Sequence, residues 1–233
     1  MSYPDAPLES SAPAAPPTTA TVKKSVGRGT VLIALLVTAV IVGLAAFSIG
    51  RLSTLGDARP GTTSAEAGFS RDMQVHHDQG VELSLIIRDR TADEPTRLLA
   101  YDITRTQGQQ SGQMYAWLVL WGLPQASLEP SMTWMTRAGS GDSHDHGADH
   151  VAGEPMPGLA TSEQITELQS LSGVAAEREF LTLMIAHHQG AIDMADALLA
   201  RSDNSTVRTF ADAVVQSQES EIGLMTRMLA ERS

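Results

Sequence analysis

One motif, Met-x-x-His-His, occurs twice in this chain at an interval of 111 residues. Its two copies are Met73, His76 and His77, and then Met184, His187 and His188. The same interval aligns further pairs without a gap, among them Phe69 with Phe180, Arg97 with Arg208, Gln107 with Gln218 and Met114 with Met225. Similarity between two parts of a chain at a fixed interval is strong evidence of a repeated structural unit, and it is stronger when the matched positions include scarce residue types. The sequence therefore predicts one helical unit that has been duplicated.

An uncharged apolar run precedes the first copy of the motif. Residues 29–50 carry no charged side chain, and a helix crosses a bilayer with about 20 apolar residues. We therefore predict a transmembrane helix there, after a disordered cytoplasmic tail at 1–28 that is rich in Pro, Ala, Ser and Thr, and before a tether at 51–63. Because Lys23 and Lys24 lie on the N-terminal side, the positive-inside rule predicts a single-pass protein of the cell membrane whose C-terminal domain is extracytoplasmic. A cleavable signal peptide is the alternative interpretation.

Composition limits the chemistry that the C-terminal domain can use. The chain has no cysteine and a formal net charge of −11. Disulfides and thiolate metal sites are therefore excluded, and a transition metal would have to bind through His, Met, carboxylate or water. The acidity disfavours nucleic acid as a partner and favours cations.

The C-terminal domain, residues 64–233, is predicted to be all-α because its apolar residues recur at helical spacing. Repeat 1 covers 64–121 and repeat 2 covers 161–233, and each contains two long helices. A connection rich in His and Met, residues 122–160, joins them. Capping patterns mark helix starts at Asp93-Glu94-Pro95 and at Thr161–Gln164. Two duplicated helical hairpins predict an antiparallel four-helix bundle.

The motif residues share one face of their helices. Residues three and four apart are neighbours on a helix, so Met184 lies one turn from His187 and His188. Thioether sulfur favours Cu(I), and imidazole accepts several transition metals, so the mixed set indicates copper first. The candidate ligands are Met73, His76, His77, Met184, His187, His188 and Met194. The alternative is that the methionines fill the core and the histidines only form hydrogen bonds.

Two further groups of residues are auxiliary candidates. Gln107, Gln218 and Glu221 lie on the second helices of the repeats and could orient the histidines, although a solvated polar face explains them equally well. The connection carries a group that fits a low-affinity loading loop for copper. Its members are Met132, Met135, His144, His146, His150 and Met156. A solvated linker is the alternative for this group.

Residues 180–194, together with 218–225, closely resemble the "domain of unknown function 305" family, and the resemblance covers roughly residues 67–229. It implies a ferritin-like helical bundle, and it implies copper binding because some members are periplasmic or secreted copper-binding proteins associated with copper resistance. By motif position it implies the same seven candidate ligands. The chain departs from the fuller pattern at Leu83, Gly108, Gln110 and Ser111, which weakens the first site or makes it structural.

We therefore predict a membrane-anchored extracytoplasmic protein that binds copper, as Cu(I), for sequestration or transfer. It is not expected to be an enzyme, since no nucleophile, general base pair or cofactor loop accompanies the ligands. Expected partners are the metal ion, the membrane, and a second copy of the chain or a metal-transfer protein. One alternative is a ferritin-like redox enzyme using iron or manganese, and another is a structural or signalling module whose histidines respond to pH near neutrality.

Overall fold

The computed structural model describes residues 28–53, 59–138 and 151–232, which fall into two compact units that divide after Gly56. Within these ranges all the regular structure is helical, and the prediction of an all-α protein is confirmed. The helices are α1 (Arg28–Ser53), α2 (Ala65–Arg90), α3 (Glu94–Trp121), α4 (Ser162–Ser170), α5 (Gly173–Leu199) and α6 (Ser205–Ala230), with a 3₁₀ helix at Thr133–Thr136.

The first unit contains α1, which covers the apolar run at 29–50. Among the described residues, no helix has the combination of length and apolarity that crossing a membrane requires. The predicted membrane-spanning helix is therefore not found. Residues 1–27 of the predicted tail and residues 54–58 of the predicted tether lie outside the described residues.

Side-chain caps fix two helix starts in the second unit. The carboxylate of Asp93 accepts a hydrogen bond from the backbone N–H of Thr96, and Pro95 occupies the first turn of α3. Thr161 and Gln164 form a reciprocal capping box at the start of α4. Both starts lie where the capping patterns predict them.

The second unit is built from two helix pairs. α3 packs on α2, α6 packs on α5, and a contact between α2 and α5 joins the pairs. Two buried apolar clusters form along this contact. Cluster 1 includes Phe69 and Met73 from the first half of α2 and Met194 from the second half of α5. Cluster 2 includes Leu83 from the second half of α2 and Phe180 from the first half of α5. Because the first half of each helix meets the second half of the other, α2 and α5 run antiparallel.

Hydrogen bonds between the repeats follow the same interval of 111 residues. Thr91 donates through its hydroxyl to the carboxylate of Glu177 over 2.5 Å. The equivalent residues in the other repeat, Ser202 and Glu66, form the same bond over 2.5 Å. Each bond joins one helix pair to the other, with the roles of the repeats exchanged, as two related halves would do.

Part of the connection lies directly on the α2–α5 contact. We call residues 156–160 the strap. The side-chain amide of Gln79 on α2 donates to the carbonyl of Ala160 over 2.9 Å and accepts from its N–H over 2.7 Å. On α5 the strap meets Gly190, where an added Cβ would lie 1.9 Å from the carbonyl oxygen of Pro157. The absence of a side chain at Gly190 therefore allows the strap to reach the helix.

The sequence did not predict the 3₁₀ helix at Thr133–Thr136. The carboxylate of Asp72 on α2 accepts from the backbone N–H of Met132 over 2.8 Å and from the indole N–H of Trp134 over 2.9 Å. Trp134 packs edge-on against Phe69, with ring centroids 6.0 Å apart. Burial raises the pKa of Asp72, and the two hydrogen bonds oppose that rise. One buried carboxylate thus fastens this stretch to the bundle.

We predict that Gly190→Ala lowers the free energy of unfolding by about 1–3 kcal/mol, since the new methyl group overlaps the strap backbone. Gly112→Ala is the matched control. Gly112 is also helical but exposed, with no atom within 4 Å of an added Cβ, and this change should stabilise by up to about 1 kcal/mol. Denaturant unfolding followed by circular dichroism measures both effects. Equal effects of the two substitutions would contradict the close contact at Gly190.

Candidate metal centre

The four motif histidines form a continuous line across the α2–α5 contact, and we call it the histidine row. Ring centroids are 6.3 Å apart for His77 and His76, 3.9 Å for His76 and His187, and 6.0 Å for His187 and His188. All four side chains are fully buried. The row lies between cluster 1 and cluster 2, because the histidines stand between the members of these clusters along both helices. The structure thus brings the two copies of the motif together.

Hydrogen bonds determine which ring nitrogen carries the proton in three of these histidines. Nε2 of His76 donates to the carbonyl of Pro157 over 3.0 Å, and Nε2 of His187 donates to the carbonyl of His76 over 2.7 Å. Nε2 of His188 donates to the carboxylate of Glu221 over 2.6 Å. Since these oxygens only accept, each Nε2 carries a hydrogen, and in the neutral ring Nδ1 keeps its lone pair. All three Nδ1 atoms are buried without a hydrogen-bond partner.

The row is a poor environment for positive charge. Burial lowers the pKa of His76 to about 4 and that of His77 to about 3. Burial also places the pKa of His187 well below its ordinary value, and repulsion from the neighbouring imidazoles acts in the same direction. These three rings are therefore neutral near pH 7, which is the form of imidazole that binds metals.

Of the auxiliary candidates, Glu221 is bonded to the row and Gln107 lies near it. Gln107 on α3 is buried. Gly80 makes room for the Gln107 side chain, because a Cβ added at Gly80 would lie 2.1 Å from Oε1 of Gln107 and 2.8 Å from Cε1 of His187. Glu221 on α6 accepts from His188. The third candidate, Gln218, is buried on the same helix with Oε1 unpaired. Their role in orienting metal ligands stays a prediction.

The candidate methionines divide between the two apolar clusters. Met73 and Met194 belong to cluster 1 and Met184 to cluster 2, and all three are fully buried. In the described part of the chain, no three His, Asp or Glu side chains are grouped so that they could hold a metal ion. The role of Met73, Met184 and Met194 as metal ligands beside the histidines therefore stays a prediction.

The structure places the methionines of the predicted loading loop in the core, and a role of this group in binding copper stays a prediction. Its methionines, Met132, Met135 and Met156, are buried in cluster 1 with Met73, so they pack in the core instead of lying on a solvated loop. Met132 and Trp134 are fixed by Asp72, and the strap contains Met156, which explains the burial. The histidines of the same group, His144, His146 and His150, lie outside the described residues.

Sequence reasoning missed two contacts of the row. Pro157 binds His76 through its backbone carbonyl, and no side-chain pattern signals such a contact. Gln110 is nearly buried and faces His77, where it partly offsets the effect of burial on the pKa of that ring. No hydrogen bond of normal geometry forms, since both ring nitrogens of His77 and Oε1 of Gln110 are unpaired. The interval of 111 residues relates Gln110 to Glu221, and this relation was the available signal.

We predict that the metal-free protein loses stability as the pH falls below about 6.5. The pKa of His77 is about 3 in the folded state against an ordinary value of 6.5, so between these values the unfolded chain binds more protons. Each such histidine lowers the free energy of unfolding by about 1.4 kcal/mol per pH unit. Urea denaturation between about pH 7 and about pH 5 measures the slope.

His77→Leu isolates the contribution of this one ring, because it removes the titrating group without leaving a hydrogen-bond partner unpaired. Its stability should fall less steeply with pH than that of the wild type. Parallel pH profiles for the two proteins would contradict the assignment of a strongly lowered pKa to His77.

Solved structures with a similar fold come from several proteins. A candidate secreted DUF305 protein from Streptomyces coelicolor is 46% identical, with a TM-score of 0.65 over 74% of this chain and 96% of that one. A DUF305 fragment from Deinococcus radiodurans is 31% identical, with a TM-score of 0.57 over 72% of this chain and 96% of the fragment. CopM in its Cu(I)-bound form is 21% identical, with a TM-score of 0.51 over 72% and 96% of the two chains.

At 21% identity, the similarity to CopM shows only that the two proteins share a fold. No curated protein matches the chain. The family model described as "Domain of unknown function (DUF305)" matches residues 66–229, which include both copies of the motif and the whole histidine row. The resemblance in the motif residues is thereby confirmed, and this chain belongs to the DUF305 family.

Proposed function

We propose that this protein binds copper, as Cu(I), through the histidine row and its neighbouring methionines, and sequesters the metal or transfers it outside the cytoplasm. One observation carries the proposal. Nδ1 of His76, His187 and His188 is buried without a hydrogen-bond partner, while Nε2 of each ring is already engaged. Burying a polar atom without a partner costs free energy, and a metal ion bound at any one of these nitrogens would remove that cost there.

The donors of this region suit a soft metal ion. Neutral imidazole nitrogen and thioether sulfur bind Cu(I) well, whereas hard cations prefer oxygen. His77 adds a fourth imidazole with both nitrogens unpaired, and Met73, Met184 and Met194 supply sulfur from the same two helices. Copper is the cargo in this proposal, and the protein supplies the donors and excludes water from them.

The solved structures of similar fold give independent support. CopM has been crystallised in Cu(I)-bound, Cu(II)-bound and silver-bound forms, and its fold resembles that of this chain. Silver(I) and Cu(I) are both soft ions. The proposal carries this pairing of fold and soft metal over to the present chain, where buried Met and His stand at the centre of the fold.

The site favours binding over the two alternatives. Iron and manganese redox bundles use several bridging carboxylates, whereas among the described residues Glu221 is the one carboxylate bonded to the histidine row. A pH sensor needs a histidine that titrates near neutrality, and neither His76 nor His77 supplies one, because burial lowers the pKa of His76 to about 4 and that of His77 to about 3. We therefore retain a binding protein without catalytic activity as the proposed function.

We further propose a ferritin-like bundle of two duplicated hairpins, held outside the cytoplasm by a single membrane anchor at 29–50. The paired bonds of Thr91 with Glu177 and of Ser202 with Glu66 support the duplication. The uncharged run and the lysines before it support the anchor and its orientation. The candidate secreted relative from Streptomyces coelicolor agrees with an extracytoplasmic location. A second copy of the chain, or a protein that accepts copper, is the proposed partner.

We predict that the full-length protein binds Cu(I) and Ag(I) tightly and Zn(II) weakly in titrations against a competing chelator. Met184→Leu should weaken Cu(I) binding by about tenfold or more while changing the affinity for Zn(II) little, because only the soft ion gains from sulfur. Met228→Leu is the matched control, since Met228 is also buried in cluster 2 but lies near the C-terminal end of α6. Equal Cu(I) affinities for the two variants would show that the sulfur of Met184 does not bind the metal. The absence of any saturable Cu(I) binding would refute the proposed function.

The anchor is tested separately. The full-length protein should remain with membranes after alkaline extraction, and protease added outside intact cells should degrade the domain at 64–233. Replacing two residues of the apolar run, Val37 and Val40, by Arg should release the protein from the membrane, because each charge at the centre of a span costs about 2.5–3.5 kcal/mol. Recovery of the unaltered protein in the soluble fraction would contradict the anchor.

A further inference from the structure

The two ends of the histidine row differ in their hydrogen bonding. At one end, Nε2 of His188 donates to Glu221 over 2.6 Å. At the other end stand His77 and Gln110, the residues 111 positions before His188 and Glu221. Both ring nitrogens of His77 and Oε1 of Gln110 are buried and unpaired. The sequence repeat thus places a carboxylate on one terminal histidine and an amide near the other.

This difference changes what each terminal histidine can do. A carboxylate only accepts hydrogen bonds, so in the neutral ring Glu221 selects the form of His188 that carries its proton on Nε2 and leaves the lone pair of Nδ1 free. A carboxylate bonded to the far nitrogen also makes an imidazole a more basic metal ligand and fixes its orientation. An amide can accept through oxygen or donate through nitrogen, so Gln110 imposes no such choice on His77.

Other groups near the ends of the row do not cancel the difference. Asp78 follows His77 in the chain, but its side chain is exposed and accepts from the hydroxyl of Ser111 over 2.9 Å. His77 therefore has no bonded carboxylate among the described residues. The two central rings, His76 and His187, both donate to backbone carbonyls, so they give the two halves equivalent support.

We infer that the two halves of the row are unequal, and that the half with His187 and His188 takes the first metal ion because Glu221 acts as a positioning residue for His188. The half with His76 and His77 fills later and binds more weakly. The inference rests on the proposed function, and it assigns an order of loading to the repeats. The replacement of a carboxylate by an amide at one position of the duplicated unit accounts for that order.

The arrangement is tested first without metal. Nitrogen-15 NMR of the imidazoles in the full-length protein should show His188 with its proton on Nε2 and His77 as a mixture of both neutral forms. Glu221→Gln should convert His188 to a mixture, while Glu219→Gln, an exposed carboxylate on the same helix, should leave it unchanged. A purely structural role of Glu221 would leave the proton position of His188 unaltered, and that result would overturn the inference.

The order of loading is tested by adding Cu(I), whose filled d shell leaves the NMR signals sharp. Below one equivalent, the signals of His187 and His188 should change before those of His76 and His77. Glu221→Gln should weaken the first binding step by about 10- to 100-fold, and Gln110→Glu should strengthen the later step. Simultaneous changes in all four rings, or a first step unaffected by Glu221→Gln, would overturn the inference while leaving copper binding intact. No Cu(I) binding at all would instead refute the proposed function.

Discussion

The bond from Nε2 of His187 to the carbonyl of His76, 2.7 Å long, joins the two repeats at the centre of the bundle. It brings the two rings together with centroids 3.9 Å apart and ring planes tilted by 32°, and it fixes the proton of His187 on the nitrogen that faces the other helix. The two apolar clusters can then close on either side of the row, each with residues from both repeats. The packing and the proposed metal binding therefore depend on the same contact between α2 and α5.

Burial keeps three of the four imidazoles of the row, His76, His77 and His187, uncharged near pH 7. A charged ring at these positions would lose its hydration without gaining an opposite charge, which costs free energy. Burial therefore lowers the pKa of His76, His77 and His187. Neutral rings still carry polar nitrogens, and the Nδ1 atoms of the row have no partner in the described residues. A well-packed core normally avoids such atoms, and the proposed metal binding would give them a partner.

Much of the architecture could be predicted from the sequence because the signals are local or repeated. Capping at Asp93 and at Thr161 depends on residues three apart, and the interval of 111 residues identifies the histidines that meet. The 3₁₀ helix and the strap could not be predicted, because they are held by Asp72, Gln79 and a backbone carbonyl, none of which has a repeated counterpart of the same type. The burial of Met132, Met135 and Met156 followed from those long-range bonds and was therefore also missed.

Cluster 1 has a consequence for the durability of the protein. It holds six of the ten methionines of the chain, namely Met73, Met114, Met132, Met135, Met156 and Met194. Oxidation turns a thioether into a polar sulfoxide, and a polar oxygen in an apolar cluster has no partner for its hydrogen bonds. The polarisable sulfur that fills irregular space and suits soft metals thus also makes the core sensitive to oxidants, so the integrity of the bundle is coupled to the redox conditions around it.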